Sequence, residues 1–139
     1  MSTGENLRLY LIGSTAGSTA VKAAVASRVY QNSVPTIGTL PFVWFRRRGV
    51  EFLETCGEVN QIPYIERYDF EIVAETLDQA DDTADIVRSR LHGARGTLNS
   101  TTSYQWVEVQ DQREDYVPRN IQADELLHIV SLDVEVINQ

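Results

Sequence analysis

The stretch Tyr64–Glu75 constrains this chain most. Its even positions are Tyr64, Glu66, Tyr68, Phe70, Ile72 and Ala74, while its odd positions include Arg67, Asp69, Glu71 and Glu75. Successive strand side chains point to opposite faces, so the alternation predicts an antiparallel strand with one core face and one wet face. The period then changes. Leu77, Ala80, Ala84, Val87 and Leu91 fall on one helical stripe. Asp78, Asp81 and Asp82 crowd the first turn of that helix and Arg88 and Arg90 the last, both favourable to its dipole. Gly93 stops it, since glycine tolerates the left-handed conformation at a helix end.

The remaining elements follow from the same two periods. Glu5–Ile12 reads as a short helix with Leu7, Leu11 and Tyr10 on one side, ended by Gly13. Ser18 caps a second short helix in which Val21, Ala24, Val25 and Arg28 keep the three-to-four spacing. Val29–Pro35 is extended and turn-like. Leu40–Gly49 is a strand rich in aromatic and β-branched residues, ending in Arg46, Arg47 and Arg48. Tyr104–Tyr116 and Leu126–Ile137 complete the set, the latter alternating Val130, Leu132, Val134 and Val136 with Ser131, Asp133 and Glu135. The expected fold class is α+β: an antiparallel sheet of about four strands, one long helix on one face, and short N-terminal helices. With 139 residues, one domain spanning 1–139 is expected.

Charge narrows the partners. Twenty acids against twelve bases give −8, the reverse of the basic stripe that nucleic-acid binders carry. Lys22 is the single lysine; the other bases are arginine, whose planar fork suits desolvated ion pairs between surfaces. A coding bias toward arginine gives the same count. No apolar run approaches the length of a membrane span, and the N-terminus lacks the pattern of a secretory signal.

Few residues invite chemistry. One cysteine and two histidines exclude a structural zinc site of the Cys/His type. Cys56 lies between Glu54 and Glu58, which disfavour its thiolate. His92 stands at a helix end where an imidazole meets the last carbonyls, and His128 lies on the face of Val130 and Leu132. Asp78, Asp81, Asp82 and Asp85 share helix faces without the glycine turn of a calcium loop. Gly13–Ser18 lacks the lysine of a phosphate-binding loop. The expectation is no catalytic residue, no metal and no cofactor: a structural or interaction module.

Four stretches, taken in order, carry a resemblance. They are Ala20–Tyr30 after the first helix, Leu40–Phe45, the strand-then-helix block from Tyr68 through Leu91, and Arg113–Pro118 feeding a terminal alternating strand. Together they resemble the tail-completion (tail-terminator) proteins of long-tailed bacteriophages, from about residue 5 to the C-terminus. The connections at 50–63 and 93–103 depart in length from that pattern. The resemblance implies a non-enzymatic virion protein, assembled in the host cytoplasm, that forms a ring, usually of six. Its implied partners are its own copies, the major tail-tube protein and the head–tail connector, with double-stranded DNA passing through unbound.

A closed heterologous ring needs two unlike, complementary faces. Arg46, Arg47 and Arg48 offer a positive one. Asp69–Asp85, with Asp69, Glu71, Asp78 and Asp82 as candidate contacts, holds seven acids and no base. The alternative is solubility, with the arginines guarding an edge strand. Val50–Pro63 is a long hairpin connection, and its Phe52, Leu53 and Ile62 are candidate partner contacts. Glu51, Glu54 and Glu58 are candidates for the lumen lining, or simply keep the loop soluble.

Overall fold

The computed structural model describes residues 3–14, 16–33, 39–52, 63–96, 105–118 and 126–138. Among these residues three α-helices, α1 (Thr3–Ile12), α2 (Thr19–Val25) and α3 (Leu77–Leu91), accompany six strands: β1 (Val29–Gln31), β2 (Phe42–Phe52), β3 (Tyr64–Ala74), β4 (Arg95–Gly96), β5 (Gln105–Pro118) and β6 (Leu126–Asn138). The sheet order is β1-β2-β3-β6-β5-β4. The four expected strands form its centre, and the α+β class holds. Two short strands extend it to six. Val29–Gln31, read as turn-like, is β1 and pairs in parallel with Val43–Phe45. Arg95–Gly96 pairs with Gln105–Trp106. Strands of three and two residues are too short to show a period, so their pairing is decided by the neighbours they meet.

All three helices contribute to one core on one sheet face. Leu7 and Leu11 of α1, Val21 and Val25 of α2, and Ala80, Ala84, Val87 and Leu91 of α3 meet Val43, Phe45, Tyr68, Phe70, Ile72, Val107, Val130, Leu132, Val134 and Val136. Phe45 and Phe70 stack at its centre, ring centroids 4.6 Å apart. The predicted alternation of β3 holds: Glu66, Tyr68, Phe70, Ile72 and Ala74 are buried and Arg67, Asp69 and Glu71 are half-buried. Leu77 departs from the helical stripe, being 39% exposed at the first residue of α3.

The helix ends correct three readings. Gly93 does take positive φ (+78°) behind α3. Gly13 follows α1 without a positive φ; its amide donates to the Leu9 carbonyl at 2.6 Å. Ser18 precedes α2, but its hydroxyl makes no cap and instead donates to the Tyr10 carbonyl at 2.9 Å. Arg28 lies beyond α2, which ends at Val25, and its Nε donates to the Pro41 carbonyl. Thr76 supplies the cap of α3, its Oγ1 accepting from the Gln79 amide at 3.1 Å. The spacing Thr76-x-x-Gln79 is the sequence signature of such a start.

Candidate assembly surfaces

The sheet face turned away from the helices is built of charge. Register sets Arg46 opposite Asp69, Asp69 opposite Asp133, and Asp133 opposite Asp111. A bulge between Arg47 and Gly49 lets Arg48 reach Asp69 at 3.2 Å and Asp133 at 3.8 Å. Arg113 grips both oxygens of Asp133, at 3.0 and 3.1 Å, and meets Asp111 at 3.3 Å. Arg67 links Glu51 at 2.7 Å to Glu135 at 3.3 Å. Hydrogen bonding first, and carboxylate charge besides, raise the guanidinium pKa of both Arg67 and Arg113.

These contacts place the residues singled out in the sequence. Arg48 and Asp69, read as parts of opposite flanks, form one ion pair within the chain. Arg47 reaches Glu66 at 3.5 Å, and Glu71 accepts from Trp44 Nε1 at 2.7 Å. Arg46 is exposed and has no ion pair among the described residues. Asp78 and Asp82 are exposed on α3, and Asp85 pairs with Arg88. Val50, Glu51 and Phe52, read as loop, continue β2 against Glu66, Ile65 and Tyr64. Leu53, Glu54, Cys56, Glu58 and Ile62 lie outside the described residues.

Sequence reasoning passed over Glu66. It is 2% exposed at the end of the core. Tyr68 Oη donates to its Oε2 at 2.8 Å and Asn138 Nδ2 to its Oε1 at 3.1 Å, while Gln105 Nε2 donates to Asn138 Oδ1 at 2.8 Å. Burial, then the Glu66 charge, push the Tyr68 phenol far above its usual range, so it remains a donor. An acid among the apolar even positions of β3 was the available signal. Beside it opens a cleft of about 870 Å³ whose lining includes Arg47, Val50, Phe52, Tyr64, Thr3 and Gln31.

The histidines do structural work. Nδ1 of His92 accepts the Val109 amide at 3.0 Å, so the ring ties the end of α3 to β5 and does not meet the helix carbonyls. His128 is half-buried in β6, opposite Ala74 and Tyr116. Among the described residues, no group of three His, Cys, Asp or Glu is placed to hold a metal ion. No helix there is long and apolar enough to cross a membrane.

The β5 edge of the sheet is acidic. Among the described residues β4 covers only Gln105–Trp106, leaving Glu108, Asp111, Glu114 and Asp115 along the rest of β5, with Arg113 between them. The amides of Val107, Val109, Gln112 and Tyr116 bond to the Ala94 carbonyl, His92, Asp111 and Asp115, all outside the β5–β6 ladder. Occupied amides and acidic side chains keep an edge from pairing indiscriminately. Tyr116 and Val117 near the strand's end are nevertheless 63% and 37% exposed.

No protein-family model and no curated protein sequence matches the chain. Its fold does match solved structures. One is a chain of the "Virion of native gene transfer agent (GTA) particle", with TM-score 0.64 and 13% identity over 99% of this chain and 96% of that one. At that identity, the likeness is one of fold.

Proposed function

We propose that this chain is a non-enzymatic virion structural protein that closes the head-proximal end of a phage-like tail. Six copies form a ring that ends polymerisation of the tail tube and presents a surface to the head connector. The observation that carries this reading is the near end-to-end fold match to a chain of a gene transfer agent virion. The order of elements that resembles tail-terminator proteins supports the particular position in the particle.

The charge is compatible with a conduit for DNA. Each cationic contact to phosphate adds affinity through counterion release, so a lumen that lets a genome slide must offer few of them. Six copies at −8 carry about −48, and acids facing the lumen repel the duplex. Glu51, Glu54 and Glu58 are the proposed lining; the Glu51 carboxylate is also held by Arg67.

The test adds purified chain to polymerising tail-tube protein and follows tube length by negative-stain electron microscopy. Tubes of arrested length, with a ring of this chain at one end, are expected. Tubes that grow unchanged overturn the terminator assignment. If rings form and bind connector but leave tube growth unaffected, the chain is another head–tail connector component. The second reading, a small-molecule-binding domain, takes support from the cleft beside Glu66. A chain that stays monomeric and gains thermal stability from a metabolite mixture supports that reading instead.

A further inference from the structure

The two flanks of the sheet carry opposite charge, and among the described residues each is bordered by a strand too short to cover it. Among the described residues β1 covers only Val43–Phe45 of β2, so Arg46–Phe52 border no further strand. That segment exposes Arg46, Arg47 and Arg48 and one acid, Glu51, which Arg67 holds, and ends in Phe52, 68% exposed beside the cleft. On the opposite flank β5 carries the half-buried Glu108, exposes Asp111, Glu114 and Asp115 around the single Arg113, and ends in the exposed Tyr116 and Val117. The β5–β6 hairpin also runs past its neighbour: β3 stops pairing at Ala74–His128, while Val117–Leu127 and Pro118–Leu126 continue without it.

We propose that these flanks are the two halves of one heterologous contact, in which the acidic β5–β6 hairpin of one copy seats against the arginine end of β2 and the adjoining cleft of the next. The proposal rests on the ring reading above and names the surfaces that build the ring. Charge selects the pairing. Two β5 flanks repel each other, and so do two β2 flanks, which disfavours an isologous dimer and favours head-to-tail growth that closes into a ring. Arg48 is engaged by Asp69 and Asp133, so Arg46 and the outer nitrogens of Arg47 are the cations available to a neighbour. Because four β5 amides already have partners, the contact runs through side chains and not through strand addition. Tyr116 and Val117 supply the apolar part, with Phe52 and Val50 at the lip of the cleft to receive them. The acidic half is therefore β5, not the 69–85 stretch, whose Asp69 and Glu71 already serve Arg48 and Trp44.

The experiment is a charge swap read by sedimentation velocity at fixed protein concentration and low salt. One variant carries Arg46→Glu with Arg47→Gln; the other carries Glu108→Arg with Glu114→Arg, residues that cap no β5 amide. Native chain is expected to assemble, more weakly at high salt. Each variant alone is expected to associate at least about tenfold more weakly, and an equimolar mixture to recover assembly, because the mixture restores opposite charges at every contact. Circular dichroism checks that the variants fold; Arg46→Ala and Glu114→Gln replace any that does not, with a smaller loss expected. Variants that assemble like the native chain, or a mixture that stays dissociated, overturn this contact while leaving the ring standing. A native chain that never assembles overturns both.

Discussion

Glu66 and Asp133 sit on adjacent strands of one sheet, and each carboxylate has an arginine within reach, yet their surroundings differ. Glu66 faces the helices, is 2% exposed, and is held by Tyr68 and Asn138 as well as Arg47. Asp133 faces outward between Arg48 and Arg113; its side chain keeps 17% exposure and its partners are about half exposed, so solvent reaches the pair. An ion pair in water gains little because solvent screens it. A carboxylate out of water must have its hydrogen bonds supplied by the protein, and its partners are orphaned if it is removed. The same functional group is thus structural on one face and adjustable on the other.

That contrast can be measured. The largest loss belongs to the covered face itself. Phe70→Ala removes the ring stacked on Phe45 and is expected to cost about 3–5 kcal/mol in urea unfolding. Glu66→Ala comes next, at about 3 kcal/mol, because inside the core Tyr68 loses its acceptor and Asn138 one of its two. A loss below about 1 kcal/mol there would show that water reaches the site through the cleft. Asp133→Asn weakens the grip on two arginines at once, yet is expected to change stability by less than about 1 kcal/mol, and less still at high salt.

The smallest effect is one of pH. Hydrogen bonding and repulsion from Asp81 raise the Glu114 pKa above its ordinary value. A carboxyl whose folded pKa is raised stabilises the fold below its unfolded pKa, and that contribution is lost as pH rises through the folded value. At neutral pH the two carboxylates repel. Asp81→Asn is therefore expected to raise the melting temperature slightly at pH 7 and to lose that advantage in acid. Nuclear magnetic resonance titration should return Glu114 toward its ordinary range. An unchanged Glu114 titration would remove Asp81 as the cause.

Comparison of particular elements shows what was legible in the chain. The β3 alternation and the α3 stripe appear directly, because strand and helix periods are local and burial rewards whole faces. The charged residues of the candidate site were also visible, as runs: Arg46–Arg48 and the acids from Asp69 onward. Their partnerships were not. Arg48 meets Asp69 and Asp133 through strand register and a bulge, which depend on residues far along the chain.

Local spacing accordingly settled the class of fold, the length of its main helix and which face of β3 is covered. Tertiary structure alone decided that β1 lies parallel to β2, that Ser18 bonds Tyr10 and makes no cap for α2, and that Glu66 is enclosed. It also decided that the arginines and the open acidic edge lie on opposite flanks of one sheet. Backbone period is a property of neighbouring residues, whereas the partner of a side chain is chosen by whatever the folded chain brings within a few ångströms of it.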